Sequence, residues 1–471
     1  MVGMDLSDIR KKVGSNVEVF STLLTFILIY FFIIVLMDLQ PRWILSKTLT
    51  TGGDMGSHYV LAQYLRDYLL PNGKLIGWYP GWQAGLPMFQ YYFVPPYLLM
   101  VFLGYFISLE LAFKLVTLMW IFMLPLTVYL GVKALGFEKP TPIISACFSL
   151  CLLFLETVDG SNYSQWGGNI KSTLAGQFTY GISFALMLFS IGMLYKGYHD
   201  RKNLVFNAVL FSLVALNHIY TTLIIGMVST FFIIDALRSR KLEGVFYLAK
   251  VFILGFLIAG FWYIPMVSKL SWALPPKDVF YVYVHLSWVF LKEYAVFYVL
   301  AFIGLFYGIR NRDKRVMFLV YSFIVVFLFL YACRPLNLLY VRFLPFLYIL
   351  YLILAARGVS LIVDKIEAKV VIPVVVAIIV SLLLYSTWIS DIPNWIKWNY
   401  EGLEGKNTWP VLKQIFSYMN DVNVSGRVDV EYDEDYNYFG TPRVFEVMPV
   451  FTNKSVMEGL LFESSVTFPF F

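Results

Sequence analysis

The sequence predicts an all-α polytopic membrane protein, and three observations support this prediction. Of the 471 residues, 59% are hydrophobic and only 14% are charged. Apolar runs long enough to cross a bilayer, which takes about 20 residues, recur along the whole chain. The basic residues that give the formal charge of +6 are scattered in short clusters between these runs, which is typical of membrane-orientation signals and argues against nucleic-acid binding.

The apolar runs predict about eleven transmembrane helices. The first run, VFSTLLTFILIYFFIIVLM, is too long for the core of a cleaved signal peptide. The segment PPYLLMVFLGYFI, 95–107, is too short to span and is predicted to be a half-buried interfacial helix. The spanning helices are predicted at 17–38, 109–132, 142–156, 179–196, 203–217, 219–237, 244–265, 290–309, 316–332, 338–356 and 370–389.

The distribution of basic residues predicts the orientation of these helices. With a cytoplasmic N-terminus, most lysines and arginines fall in cytoplasmic segments, where they are enriched in membrane proteins. The short outer loops then hold only Lys171, Lys269, Lys277 and Arg334. The first loop, 39–108, is therefore predicted to face away from the cytoplasm.

Residues 1–389 are predicted to form the transmembrane module, and residues 390–471 a small α+β extracytoplasmic segment. In this segment Asn407, Thr408 and Pro410 favour a helix start at WPVLKQIFSYMN, and GRVDVEYD alternates like a strand. The chain is predicted to be a multi-pass protein of the cell membrane.

A polar stretch, TTGGDMGSHY, follows the first apolar run at residues 51–60. One interpretation of Asp54 is a helix cap, because Asp before a helix satisfies free amide groups. The other is a functional carboxylate. A cap does not require flanking glycines, and the loop continues with Trp78 and Trp82 in an aromatic stretch rich in Gly and Pro that suits sugar stacking.

Further charged residues are predicted at the same membrane level. Glu156 and Asp159 form a carboxylate pair after the third helix, although solvated loop acids are common. Arg342 is predicted about one turn inside a helix, where an ionisable side chain is costly unless it is paired. Arg334 and Arg342 could hold a lipid phosphate through paired hydrogen bonds, or extend to the headgroups. His218, at a helix hairpin, could instead make a packing hydrogen bond.

The arrangement resembles the GT-C superfamily of polyprenyl-phosphate-dependent glycosyltransferases. The shared features are a Gly-Asp motif after the first helix, an interfacial helix starting PPYLL, an acidic second outer loop and the pair NH at a hairpin. More closely, GGDMGSHY and the tail GRVDVEYDEDYNYFGTPRVFEVMPVF resemble archaeal and other prokaryotic membrane proteins labelled 6-pyruvoyl-tetrahydropterin synthase-related. The label implies no pterin chemistry, because the four scattered histidines do not easily assemble the zinc site of a true synthase.

The resemblance implies transfer of a sugar from a polyprenyl-phosphate donor to a glycan, lipid or protein acceptor on the outer face. Asp54 would act as catalytic base or metal-adjacent carboxylate. Glu156 or Asp159 would assist it, and Asp54 and Glu156 would be the ligands of any divalent cation, Mg or Mn. The lipid phosphate is expected at Arg342, Arg334 and His218, and the acceptor or sugar surface at His58, Trp78 and Trp82.

Two further expectations concern the tail and the alternative function. The tail lacks a WWD-type acceptor motif, which argues against transfer of a whole glycan to asparagine, and its abrupt end suggests a missing C-terminal part. The alternative is a non-catalytic lipid or polysaccharide transporter or assembly factor. Transporters tend to have broken helices and polar residues near mid-membrane, whereas the polar residues here gather at one face, which favours the enzyme.

The orientation can be tested with cysteines in a background that lacks the native ones. A cysteine at Asn162 or Asn423 should react with an impermeant thiol reagent added to intact cells, because both positions are predicted outside. A cysteine at Asn311 should react only after lysis. The opposite labelling pattern would invert the topology and remove the outer-face mechanism.

Overall fold

A computed structural model describes residues 35–155, 166–274, 284–332, 338–363, 391–423, 426–461 and 464–465, and positions 18, 22, 24, 25, 28, 29, 32 and 33. Helices dominate these residues, as predicted. The longer helices are α1 Met55–Tyr64, α2 Pro95–Gly104, α3 Leu109–Ala134, α4 Thr141–Leu153, α5 Phe178–Asp200, α6 Leu204–Asn217, α7 Ile219–Ser239, α8 Glu243–Ser268, α9 Ala295–Arg310, α10 Lys314–Ala332, α11 Leu344–Val363, α12 Ile392–Tyr400 and α13 Trp409–Asp421.

Two small sheets and several short turns complete the described structure. An antiparallel pair joins β1 Gly77–Tyr79 to β2 Leu86–Met88 in the first loop, and a parallel pair joins β3 Arg427–Val428 to β4 Ser455–Val456 in the C-terminal segment. A π-helical turn covers Leu65–Leu69. Short α-helical or 3-10 turns cover Pro41–Ile44, Leu70–Asn72, Ile170–Leu174, Leu270–Trp272, Leu286–Val289, Lys292–Tyr294, Tyr340–Phe343, Glu434–Phe439, Val444–Val447 and Met448–Phe451.

The helices fall close to their predicted positions. By length and composition, six helical segments in the described part could cross a membrane: α3, α5, α7, α8, α10, and α11 with the turn that precedes it. The helices α2, α4, α6 and α9 are apolar but shorter. The described positions between 18 and 38 are helical, whereas 370–389 lies outside the described residues. The total of eleven therefore stays a prediction.

The C-terminal segment matches its prediction in one element and departs from it in another. Helix α13 begins where Thr408 and Pro410 predicted a helix. The predicted strand over GRVDVEYD was wrong beyond Val428, because only Arg427 and Val428 pair with another strand. The acidic residues that follow are exposed to solvent. The alternating pattern of apolar and polar residues was therefore not enough to predict a paired strand.

The bundle packs through glycines at two helix crossings. A Cβ atom on Gly131 of α3 would lie 2.5 Å from the carbonyl oxygen of Leu188 in α5. Likewise, a Cβ atom on Gly358 of α11 would lie 2.1 Å from the carbonyl oxygen of Leu300 in α9. Membrane helices associate closely where small residues let their backbones approach. These crossings therefore hold α3 against α5 and α9 against α11.

The two ends of the bundle differ in chemistry. At one end, exposed ion pairs join neighbouring helices, as between Lys314 and Asp235 and between Arg201 and Glu243. The other end, where α3, α5 and α7 begin, carries the first loop and the C-terminal segment; we call it the loop end. Here the buried Lys114 of α3 donates to the carbonyl oxygens of Trp43, Ser46 and Tyr400 and to two hydroxyls.

The packing predicts how two glycines will respond to alanine. Gly358→Ala should reduce the free energy of unfolding by about 1–3 kcal/mol, the usual cost of overpacking, because the new methyl group overlaps the backbone of α9. Gly226→Ala in α7 is the control, because a Cβ atom there meets nothing within 4 Å. Melting temperatures in one detergent measure both effects, and equal values would contradict the close crossing.

Candidate functional site

The backbone around Asp54 requires two glycines. Gly52 has φ +90° and Gly53 has φ +48°, a region that side chains disfavour. A Cβ atom on Gly52 would lie 1.8 Å from the amide oxygen of Asn399, and one on Gly53 would lie 2.7 Å from the carbonyl oxygen of Ala175. The glycines therefore let the start of α1 touch both the loop before α5 and the C-terminal segment.

Asp54 occupies the cap position of α1, but its side chain makes no capping hydrogen bond. Its Oδ1 atom instead accepts a hydrogen bond from Nη1 of Arg443 at 2.8 Å. The side chain of Asp54 is 23% exposed, and among the described residues its second oxygen, Oδ2, has no hydrogen-bond partner. The capping interpretation therefore does not describe this carboxylate.

Arg443 extends the contact into a ring that runs through Glu446 and Ser57 and is closed by the backbone of α1. Its Nε atom donates to Oε1 of Glu446 at 2.6 Å, and the other oxygen of Glu446 accepts from the hydroxyl of Ser57. Ser57 lies in α1, the helix that Asp54 begins. Burial would lower the pKa of Arg443, but the carboxylates of Glu446 and Asp54 outweigh burial and raise this pKa. Arg443 is therefore a firmly charged group between two acids.

His58 packs in an aromatic pocket beside Asp54. Its Nδ1 atom shares a hydrogen bond of 2.7 Å with the hydroxyl of Tyr97, and its ring lies 5.1 Å from that of Phe178. Burial lowers the pKa of His58 to about 4, although Asp54 acts in the opposite direction. His58 is therefore neutral at neutral pH, and with 2% of its surface exposed it does not form the open acceptor surface that was predicted.

Gly176 brings the loop before α5 against both Asp54 and His58. A Cβ atom on Gly176 would lie 2.9 Å from Cβ of Asp54 and 3.2 Å from Nε2 of His58. Its φ of +113° also favours glycine. The loop before α5 therefore closes over the start of α1.

His218 and Arg342 meet around Tyr180. The ring of His218 lies 5.2 Å from that of Tyr180, and Cζ of Arg342 lies 5.7 Å from the same ring centroid. The Tyr180 hydroxyl donates to the carbonyl oxygen of Arg342 at 2.6 Å. Nδ1 of His218 accepts from the backbone N–H of Tyr220 at 3.3 Å, so His218 also caps α7. The helix-packing interpretation of His218 thus has a direct hydrogen bond behind it.

Arg342 is buried, and part of its guanidinium group lacks hydrogen-bond partners among the described residues. It is 7% exposed, and its Nε and Nη1 atoms have no hydrogen-bond partner among the described residues. It lies close enough to Asp54 for their charges to interact. A buried guanidinium without partners for its N–H groups is costly, so this position favours an anionic ligand.

The Asp54 and Arg342 clusters are joined by two adjacent residues of the first loop. Tyr92 stacks on His58 with ring centroids 5.7 Å apart, and Phe93 stacks on His218 with centroids 4.8 Å apart. The cluster around Asp54 and His58 and the cluster around His218 and Arg342 therefore lie at either end of one two-residue contact.

The two tryptophans predicted as a sugar-stacking surface lie in different environments. Trp82 is fully buried, and its indole N–H donates to the carbonyl oxygen of Glu446 at 2.8 Å. The prediction was wrong for Trp82, because both faces of a buried ring are already packed. Trp78 is 57% exposed and keeps an open face.

Three predicted residues, Glu156, Asp159 and Arg334, lie outside the described residues. Within the described part, no three His, Cys, Asp or Glu side chains are placed to hold a metal ion. Asp54 also has one oxygen bound to Arg443. A metal site at Asp54 and Glu156 therefore stays a prediction.

Arg443 and Glu446 were not identified from the sequence as site residues. The available signal was their spacing: two opposite charges three residues apart within TPRVFEVMPV, a largely apolar stretch. Buried charges need partners, and this spacing provides one. The contact of Arg443 with Asp54 has no local signal in the sequence.

The described helices define a helical membrane protein with its polar cluster at the loop end. A family model described as the 6-pyruvoyl-tetrahydropterin synthase related domain, a membrane protein, matches residues 89–391. The chain belongs to this family, as its motifs predicted. Comparison with curated protein sequences gives no match.

Several solved structures are similar to the chain. The oligosaccharyltransferase of Archaeoglobus fulgidus, tethered to an acceptor peptide containing an NVT sequon, aligns with a TM-score of 0.53 and 12% identity, covering 89% of this chain and 61% of that protein. The apo form aligns with a TM-score of 0.47 and 13% identity, covering 89% of this chain and 62% of that protein. AglB of the same organism, in complex with an inhibitory peptide and a dolichol-phosphate, aligns with a TM-score of 0.45 and 14% identity, covering 89% of this chain and 62% of that protein. The chain thus spans less than two thirds of these proteins, and the first alignment supports the coarser part of the prediction, a mostly helical GT-C-like fold.

Glu458 gives the site a testable pH dependence. Burial and the nearby Glu446 together raise the pKa of Glu458 from 4.5 to about 7, against the opposing effect of Arg443. Because the folded-state pKa lies above the ordinary value, its contribution to stability is full below pH 4.5 and is lost as the pH rises through 7.

We expect Glu458→Gln, which stays neutral, to melt about 1–4 °C above the wild type at pH 8 and at the same temperature at pH 4. The exposed Glu431, changed to Gln, is the control from the same segment. A gain for Glu458→Gln that is equal at both pH values would show that ionisation of this group is not its cause.

Proposed function

We propose that the protein is a glycosyltransferase that moves a sugar from a polyprenyl-phosphate donor to an acceptor at the loop end, on the outer membrane face. The observation that carries this proposal is the buried Arg342, which has two guanidinium nitrogens without a partner in the described structure and lies near Asp54. The fold is shared with an oligosaccharyltransferase, which supports glycosyl transfer as the reaction class.

A phosphate group suits Arg342 better than other anions of the membrane surface. The guanidinium offers parallel N–H groups that match two phosphate oxygens, which lysine cannot reproduce. Arg342 lies at the start of the candidate span Tyr340–Val363, and this position supports the assignment because the end of a spanning helix is where lipid headgroups meet the chain. A lipid phosphate would therefore supply the missing partners of Arg342 without leaving the bilayer edge.

An apolar groove gives the lipid chain of the donor a place to lie. A cavity of about 390 Å³ runs between α6, α7 and α8, and its wall includes Phe211, Phe232 and Phe256. It begins at Thr222, whose hydroxyl donates to the carbonyl oxygen of His218 at 3.0 Å. An isoprenoid chain in this groove would have its phosphate next to His218 and Arg342.

Asp54 is the proposed base. An acceptor hydroxyl attacks the anomeric carbon, a new C–O bond forms, and the bond between this carbon and the phosphate oxygen breaks. The proton of the hydroxyl passes to Oδ2 of Asp54, which has no hydrogen-bond partner in the described structure. The phosphate keeps the electron pair of the broken bond, and Arg342 stabilises its added charge.

Substitutions separate these two roles. Arg342→Lys should weaken binding of a synthetic polyprenyl phosphate about 10-fold and Arg342→Ala more strongly, because charged hydrogen bonds are lost. Asp54→Asn should lower turnover about 100-fold or more with little effect on binding. Affinity is measured in nanodiscs, and turnover as release of polyprenyl phosphate from a panel of synthetic polyprenyl-phosphate monosaccharides.

Two controls make the test decisive. Arg310→Ala removes an exposed positive charge at the opposite end of the bundle and should change neither quantity. Melting temperatures report folding. If Arg342→Ala binds polyprenyl phosphate as well as the wild type, Arg342 is only an interfacial anchor. Flux of lipid-linked sugar across liposomes without release of polyprenyl phosphate would support the alternative, a non-catalytic transporter.

A further inference from the structure

Arg443 is the one described group that fixes the direction of the Asp54 carboxylate. Asp54 follows two glycines, which have no side chains that could contact the carboxylate, and the side chain of Asp54 caps no amide. Its hydrogen bond from Arg443 is the sole side-chain hydrogen bond that Asp54 makes within the described structure. The orientation of Oδ2 therefore depends on this contact.

Arg443 is itself held at three points. Its Nη1, Nε and Nη2 atoms donate to Asp54, to Glu446 and to the carbonyl oxygen of Gly459, respectively, the last at 3.4 Å. These three directions use the planar shape of a guanidinium, which a lysine ammonium does not share. Rotation of Arg443 would break several bonds at once, so its grip on Asp54 is rigid.

The ring ties the C-terminal segment to α1 at several points beside the carboxylate. Glu446 accepts from Ser57, three residues after Asp54. Thr441 donates from its hydroxyl to the carbonyl oxygen of Gly53 at 2.9 Å. The residue before Asp54 and the helix after it are therefore both anchored to the segment 441–446.

We propose that Arg443 is a positioning residue for the transfer reaction: it holds Oδ1 of Asp54 so that Oδ2 faces the acceptor hydroxyl, and the C-terminal segment thereby completes the site. This inference rests on the proposed function. It assigns to the segment 441–446 a part in turnover and none in donor binding, because Arg342 and the apolar groove belong to the membrane bundle.

A second arginine of the same segment provides a matched control. Arg427 donates from Nη1 to the carbonyl oxygen of Pro80 at 2.5 Å and so also ties the C-terminal segment to the first loop. It makes no contact with Asp54 among the described residues. Arg427→Ala therefore removes an anchor of the segment without releasing the carboxylate.

We expect Arg443→Ala to lower kcat about 100-fold, the loss that follows from a misplaced reacting group, with polyprenyl-phosphate affinity unchanged within twofold. Arg443→Lys should lower kcat about 10-fold, because one ammonium group cannot reach all three partners. Arg427→Ala should retain kcat. Guanidinium chloride added at millimolar concentration should restore part of the activity of Arg443→Ala and none of that of the Asp54→Asn, Arg443→Ala double variant.

A measurement independent of activity separates this inference from the proposed function. Hydrogen–deuterium exchange of residues 50–58 should be faster in Arg443→Ala than in the wild type and in Arg427→Ala. If the wild type releases polyprenyl phosphate but Arg443→Ala keeps its kcat, the positioning role is wrong and the function stands. If no variant shows faster exchange, the clamp itself is wrong, whatever the wild type catalyses. Arg443→Lys gives the same exchange test if the alanine variant does not fold.

Discussion

The contact between Asp54 and Arg443 is the interaction on which the loop end depends. It joins residues 389 positions apart in the sequence and lies in a partly buried environment, where a carboxylate without a partner would be costly. Glu446 shares the same arginine and is itself 2% exposed. Loss of Arg443 would leave the carboxylates of Asp54 and Glu446 close together without their common cation, which is strongly destabilising. This arginine therefore holds the first loop and the C-terminal segment together.

The two clusters at the loop end differ in how well their polar groups are satisfied. The Asp54 cluster is a connected network in which Arg443, Glu446 and Ser57 all have partners. Such a network is rigid before any substrate arrives. Arg342 belongs to the cluster that Phe93 contacts through His218, and it has two nitrogens without a partner among the described residues. The satisfied cluster suits a group that must be held still, and the unsatisfied one suits a group that must receive a ligand.

Most of the fold could be predicted from the sequence, because long apolar runs determine where helices form; α3, α6 and α7 begin within one residue of their predicted positions. The location of Asp54, His218 and Arg342 at one end of the bundle could be predicted, because each lies near a predicted helix boundary on the same side; their functional roles stay predictions. Arg443 could not be placed beside Asp54, since their contact depends on how a distant segment folds back. Trp82 was misassigned because composition does not distinguish a packed indole from an exposed one.

The division between the clusters also has an electrostatic consequence for the proposed transfer. As the sugar leaves, negative charge moves from Asp54, which takes a proton, to the phosphate beside Arg342. Arg443 stabilises the charge of Asp54 before the reaction, whereas Arg342 stabilises the charge that the phosphate gains. In a site of low dielectric, a cation placed where charge develops contributes most when no other anion already neutralises it. Arg342 has two guanidinium nitrogens without a partner in the described structure, so these N–H groups remain for the leaving phosphate.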